Sequence, residues 1–339
     1  MKVRIQTIII LVFIALLFVI GSFVGVNPAM SANDVVMRFV MNGILVLSMV
    51  PMVESGCGLN FGVPVGIIAG ILGALISLEM ELGGIGGLFA AIAMGIGFAV
   101  VLGLGYGLLL NKVKGDEMLI ATYVGYSLVY LMNVFWIVLP FRNPSSVQGY
   151  GGSGLRSTIS IDKYWQNALN NVFSISIGKY ITIPVGTLVF FGLLCFAVWA
   201  FFKTKLGTAM SAVGANPDFA RAGGINVDMI RVISVVMSTV LAAIGIIIYQ
   251  QCFGFIQTFS APLAFSFSSV SALLLGGASL NKASIKNVIL GTFLFQAVLT
   301  MTPTVINSAI EIDASEVIRI IVTNGMIVFA LTRKTKEAK

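Results

Sequence analysis

Long apolar runs separated by short polar gaps set the rhythm of this chain. Runs at residues 5–25, 37–54, 60–78, 86–110, 118–139, 181–202 and 229–249 each approach the ~20 apolar residues that a helix needs to cross a hydrocarbon core. Weaker runs at 263–280, 288–302 and 317–331 are short or broken by polar residues. The pattern predicts an all-α polytopic membrane protein, with about ten transmembrane helices, some of them interrupted, in one domain over residues 1–339. The run at 5–25 exceeds the ~7–15 residues of a secretory h-region and lacks a good Ala-x-Ala exit, so it reads as a retained span. Whether 263–280 spans or re-enters stays open at this stage.

Composition supports the bilayer as the solvent. Hydrophobic residues make up 58% and charged residues 10% of 339 positions, against roughly a quarter charged in soluble domains. The charges then orient the spans, because Lys and Arg resist translocation. With Lys2 and Arg4 inside, fourteen of the twenty basic residues fall in the gaps on that side, among them Lys112, Lys114, Lys203, Lys205, Arg221, Arg231, Lys282 and Lys286. The opposite side holds Arg142, Arg156, Lys163 and Lys179 in one loop, with Arg38 and Arg319 at span ends. Both termini are expected in the cytoplasm, with a basic tail at 332–339. Trp136 is expected near the outer interface and Trp199 near the inner one. Topology accounts for the net charge of +7, so no nucleic-acid partner is called for.

Several chemistries drop out. Histidine is absent, which removes His metal ligation, Ser-His-Asp catalysis and a His proton relay. Cys57, Cys195 and Cys252 are scattered among apolar residues and indicate neither a disulfide framework nor a zinc site. No G-x-x-x-x-G-K-[ST] loop is present, so the chain carries no ATP site of that kind.

Three segments interrupt the apolar rhythm. The outer loop at 141–180 begins RNPSSVQGYGGSG, and residues 161–171 fit a short amphipathic helix with Tyr164, Trp165 and Leu169 on one face. The loop reads equally as a linker or as a docking surface for an external partner. The stretch ESGCGLNFGVPVG, 54–66, combines Gly56, Gly58 and Gly62 with Pro64 and the polar Glu54, Ser55 and Asn60. It is either non-helical backbone lining a cavity or a tight cytoplasmic turn. Elsewhere the 37 glycines are patterned: Gly62, Gly66 and Gly70 recur every fourth residue, as do Gly103 and Gly107. Such spacing predicts close helix packing, since small residues let backbones approach in lipid.

The third segment, 203–228, reads KTKLGTAMSAVGANPDFARAGGINVD. Asn216 is placed to cap a helix, Pro217 suits its first position and Asp218 complements its positive end. Gly223 and Gly224 supply a left-handed stop, and Asn226 caps the following span. The product is a helix of about two turns between two spans, too polar to enter lipid. By itself this is either a well-made loop or a surface for a cytoplasmic partner.

GANPDFARAGGINV resembles the cytoplasmic motif of ABC-importer permeases of the ribose and branched-chain amino acid type. SGCGLNFG, 55–62, is similar to the S-G-I-D-L-S-V-G segment of the sugar permeases, and LLGGASL, 274–280, to their L-G-G-x-S-L. The resemblance implies an inner-membrane permease subunit that pairs with an identical or different second permease and seats two ABC ATPases or one tandem ATPase. ATP and Mg would be bound by that partner, leaving this chain without a cofactor. An extracytoplasmic solute-binding protein would deliver the solute. Gly214, Asn216, Pro217, Asp218, Ala220, Arg221, Gly224 and Asn226 would form the coupling segment. The sequence departs from the pattern at Gly58, where the family has Asp, at Asn60, where it has Ser, and in NKASIKN, 281–287.

For the substrate pathway the candidates are groups that bind a hydroxylated solute. They are Glu54, Asn60, Tyr123, Tyr126, Tyr130, Asn133, Ser266, Ser268 and Gln296. The three tyrosines share one helical face by their spacing, and that face serves packing as readily as passage. Polar side chains in lipid also act as interhelical ties. The reading that follows is an importer permease for a monosaccharide or similar polar neutral solute. A nucleoside importer is the near alternative and an ion-coupled carrier the distant one, since a carrier calls for more buried charge and a visible repeat.

Overall fold

The protein is described here by a computed structural model covering residues 5–148, 154–177, 181–310, 317, 318, 320–322, 324 and 325. In chain order the elements are α1 (Ile5–Phe23), α2 (Pro28–Leu47), α3 (Val50–Glu54), α4 (Val63–Glu79), α5 (Gly84–Lys112) and α6 (Glu117–Val138). A loop follows with β1 (Thr158–Ser160), β2 (Ile175–Ile177) and β3 (Ile181–Ile183). Then come α7 (Val185–Phe202), α8 (Lys205–Ala215), α9 (Pro217–Ala222), α10 (Val227–Phe253), β4 (Phe255–Gln257), a 3-10 turn at Ala261–Leu263, α11 (Ala264–Leu275) and α12 (Ile285–Ile310). The fold is that of a helical polytopic membrane protein. Among the described residues six helices are long and apolar enough to cross a membrane, and three shorter apolar ones accompany them.

Helix ends depart from the apolar runs where local chemistry extends or cuts them. The second helix starts at Pro28, well before residue 37, because the Asn27 side chain accepts from the amides of Ala29 and Met30 and Pro28 suits the first position. Pro51 has no amide hydrogen to give Leu47, and the chain kinks at Ser48 and Met49 before α3. Residues 181–183, expected at the head of a span, instead form β3 paired with β2. α11 has only 12 residues, about 18 Å, because Gly276 presses on the backbone of Asn287 and Gly291 at the start of α12. α12 is longer than the run at 288–302 and accommodates Pro303 within it. The run at 317–331 lies mostly, and the tail at 332–339 wholly, outside the described residues.

The centre of the bundle is α4, flanked by α5 and α10, and its residues are buried on nearly all sides. The glycine spacing has its explanation here. A Cβ at Gly66 would stand 2.5 Å from the Thr239 carbonyl oxygen, and one at Gly70 would stand 2.6 Å from that of Ala243. Gly103 and Gly107 approach the α10 backbone at Val236 and Val232 in the same way. The helices therefore touch main chain to main chain.

The loop between α6 and α7 folds over one end of the bundle. Residues 162–173 form successive turns in place of the expected helix. Asn167 and Phe173 take positive φ, which breaks any continuous helix, and the Asn167 amide donates to Gln251 at the end of α10, 2.8 Å away, so the short turns are pinned to the bundle. Trp165 and Leu169 are buried beneath it. Trp136, expected at an interface, is fully buried too, because the returning chain at Leu155 donates to its carbonyl. Trp199 is exposed near the end of α7 with Lys203 over its ring. β1 pairs with β4 and ties this loop to the end of α10.

Candidate functional site

Two regions concentrate polar side chains, one at each end of the bundle. The end opposite the folded loop carries Lys112, Lys114, Lys203, Lys205, Arg221, Arg231, Lys282 and Lys286, and is called the basic end below.

At the basic end α8, α9 and α10 follow one another with tight caps. Thr204 caps α8, an element the sequence reading did not separate from the loop. The Asn216 side chain accepts from the amides of Asp218 (3.1 Å) and Phe219 (3.0 Å), and Asn226 accepts from Met229 (3.1 Å). Gly224 takes the left-handed conformation (φ 81) that lets the chain turn into α10. Only Ala220 of α9 is buried, against Met210, Val213, Val227 and Ile230. Phe219 is 76% exposed, and Asp218 and Arg221 pair loosely on the surface at 3.5 Å. An aromatic ring thus projects from a short helix whose other flank is seated on the bundle. Beside it a cleft of about 510 Å³ runs between α9 and the turn at 113–116, lined by Lys114, Gly214, Pro217, Asp218, Arg221 and Asn281 among others.

Behind and beside this surface lies a polar network. Residues 55–62 are non-helical, with Gly56 and Gly58 at φ 75 and 77, conformations open to glycine at little cost. Their side chains bond across to α10 and α5. Ser55 Oγ and Ser234 Oγ lie 2.7 Å apart, Asn60 Nδ2 donates to Ser238 Oγ (2.8 Å) and Tyr106 OH donates to Asn60 Oδ1 (2.9 Å). Arg231 forms an ion pair with Glu117 and donates from Nε to Cys57 Sγ at 3.3 Å. Lys114 pairs with Asp228 at 2.6 Å. Glu54 is half-buried and accepts from the Ala283 amide (2.9 Å) and from Ser211 Oγ (3.3 Å). Glu54 and Asn60 therefore sit together with the α8–α9 segment at the basic end.

The second region is a cleft of about 530 Å³ bounded by α2, α10, α11, α12 and residues Ile320 and Asn324. Ser268 and Gln296 line it, with Arg38, Asn42, Tyr249 and Gln257. Ser266, on the same helix, is buried. Phe265 and Phe267 form part of the wall, the former edge-on to Tyr249 with centroids 4.9 Å apart. Next to it a small void of about 10 Å³ is lined by Gln250 and Gln257, roughly the space of one water. Both polar atoms of the Gln250 amide are buried without a protein partner.

The tyrosines lie elsewhere. Tyr123 and Tyr130 are 62% and 57% exposed on the free flank of α6, and Tyr126 is half-buried. The opposite stripe of Ala121, Gly125, Val129, Met132 and Trp136 is the buried one. Asn133 places its Oδ1 in the interior without a partner. The structure does not bring these residues together with Ser268 and Gln296. Arg38 is a cleft residue that the apolar pattern does not single out; the cap at Asn27 and Pro28 is the available signal, since it places Arg38 inside a helix.

Sequence comparison with known proteins points to a family of membrane permeases. The profile of the "Branched-chain amino acid transport system / permease component" family matches residues 31–331. The chain is 30% identical over 157 residues to the nucleoside ABC transporter permease protein NupB of Lactococcus lactis, covering 45% of this chain and 39% of that protein. It is 27% identical over 168 residues to the probable ABC transporter permease protein YphD of Escherichia coli, covering 48% and 49%. It is also 27% identical over 228 residues to the autoinducer 2 import system permease protein LsrC of Yersinia pseudotuberculosis, covering 64% and 60%. The chain thus spans from under half to three fifths of the length of these relatives. No solved structure matches. With its helical spans and a family match across most of its length, the chain belongs to the branched-chain amino acid transport system permease family, as a multi-pass component of the bacterial cell membrane.

Proposed function

We propose that this chain is the membrane subunit of an ATP-driven ABC importer, carrying a monosaccharide or similar polar neutral solute into the cytoplasm by alternating access. The observation that carries the reading is α9, a capped helix of 6 residues held between two spans with Phe219 exposed beside Arg221. Such a helix fits a groove on a cytoplasmic ATPase: the ring supplies an apolar anchor and the caps preserve its shape under load. Gly214, Asn216, Pro217, Asp218, Ala220, Arg221, Gly224 and Asn226 build this handle.

ATP and Mg belong to the ATPase subunits, or to one tandem ATPase, and this chain supplies passage only. A second permease, identical or different, completes the pathway, and an extracytoplasmic solute-binding protein presents the solute. Differential binding of ATP to two states of the assembly shifts the permease between them. Ser268 and Gln296 of the cleft, with Asn60 and Glu54 toward the cytoplasm, offer polar groups at successive depths, and Tyr123, Tyr126, Tyr130, Asn133 and Ser266 are further candidates for the path. A nucleoside is the second reading, favoured by the similarity to NupB and by the aromatic wall of the cleft.

The test is a crosslink. Cysteine at Phe219 should join a cysteine in the ATPase groove, and the joined complex should lose ATP-driven uptake. Uptake by this chain in vesicles without any ATPase would refute the proposal.

A further inference from the structure

Among the described residues Arg38 is the only charged one lining the 530 Å³ cleft. It stands ten residues into α2, about 15 Å from the start of that helix. Asn33, just over one turn earlier, already accepts from the Thr182 amide of the β2–β3 hairpin, so the guanidinium lies below the level of the folded loop. It makes no ion pair among the described residues, where the three salt bridges are Lys114–Asp228, Arg221–Asp218 and Arg231–Glu117. Asp34, one turn earlier on the same helix, interacts with it electrostatically without closing to an ion pair, and among the described residues no carboxylate from α10, α11 or α12 lines the cleft. Its side chain is exposed and opens onto the cleft, and an ionisable group facing a cavity of a membrane bundle marks a pathway or a ligand. Structural use is the competing explanation, and a structural arginine would show a bonded partner, as Arg231 does.

We infer that Arg38 is a specificity-determining residue of this cleft, offering its planar fork of donors to a paired-acceptor edge on the transported solute. The inference rests on the importer reading above and deepens it by naming what the solute must present. The surroundings suit that role. Asn42, Ser268 and Gln296 supply neutral hydrogen-bonding groups, and the Tyr249–Phe265 pair supplies a flat wall. Gln250, buried beside the cleft with an amide unpartnered among the described residues, adds a donor and an acceptor. A guanidinium is matched by two adjacent acceptors in one plane. Two kinds of solute carry them: a sugar acid through its carboxylate, and a 6-oxopurine nucleoside through O6 and N7. A plain pentose or an adenine nucleoside lacks that edge.

The experiment uses the full-length chain with Ser268→Cys as a reporter in the cleft, reacted with a water-soluble thiol reagent in the presence of millimolar guanosine, adenosine, ribose or glucuronate. Guanosine or glucuronate should slow labelling at least about fivefold, while adenosine and ribose should not. Adding Arg38→Gln should abolish that protection. Arg38→Lys, which keeps the charge and loses the fork, should retain protection by glucuronate and lose it for guanosine, and this separates the two sources. Protection by all four probes alike, by none, or protection that survives Arg38→Gln would overturn the inference. ATP-driven uptake and the Phe219 crosslink report on the importer reading independently, so either can fail without the other.

Discussion

The network at the basic end and the cleft under the folded loop hold the same kinds of side chain in opposite circumstances. At the basic end Ser55, Asn60, Tyr106, Ser234 and Ser238 find each other, and Arg231 finds Glu117. In the cleft under the folded loop, Arg38 has no ion-pair partner among the described residues and the Gln250 amide has no hydrogen bond. Residue type does not separate these cases. Paired groups lock helices together, because an unpaired polar atom in a dry interior costs far more than a paired one gains. Groups left open toward a cavity stabilise nothing in the empty protein, and their bonds are available to a solute.

Two arginines make the contrast measurable. Replacing Arg231 with Ala removes the ion pair to the partly buried Glu117, which keeps its bond from the Gly115 amide, and should cost about 1.5–3 kcal/mol, read as a fall in the unfolding midpoint of the purified chain. Asn60→Ala strips partners from both Tyr106 and Ser238 and should cost about 1–3 kcal/mol in the same measurement. Gly66→Leu forces a side chain into the α10 backbone and belongs in a similar range, about 1–3 kcal/mol by overpacking, with loss of assembled protein at the upper end. Asn216→Ala removes one cap and should cost about 1 kcal/mol, seen as faster amide exchange confined to α9. Arg38→Ala should change stability by less than about 0.5 kcal/mol. An Arg38→Ala effect as large as that of Arg231→Ala would erase the distinction between the two ends.

Much of this architecture was legible in the sequence, for identifiable reasons. Apolar runs long enough to cross a membrane need no knowledge of neighbours, and α1, α5, α6, α7 and α10 fall close to the expected positions. The caps of α9 were legible too, since Asn216, Pro217 and Gly224 act within a few residues of themselves. The start of α2 was misplaced because Ser31, Asn33 and Asp34 make its first turns polar, although Asn27 and Pro28 announce the helix. The turns at 162–173 depart from the expected helix because, although their apolar residues have helical spacing, Asn167 and Phe173 take positive φ and the Asn167 amide bonds to α10.

Contacts across the fold were out of reach. Ser55 meets Ser234 and Asn60 meets Ser238 over separations of 179 and 178 residues, and no local pattern announces such pairs. Tyr123 and Tyr130 show the converse limit. Their spacing correctly places them on one face, yet which face of α6 is buried depends on where α4 lies.

Gly214 has a mechanical consequence. A methyl group there would collide with the carbonyl of Glu54 and stand 3.0 Å from the amide of Gly56, so α8 rests directly on the last turn of α3. The Glu54 carboxylate then grips Ser211 on one side and the Ala283 amide on the other. Three stretches of chain remote in sequence are thereby clamped at a single joint. A force on the surface of α9 passes backbone to backbone into α3, and from there through the Glu54 carboxylate to the root of α12.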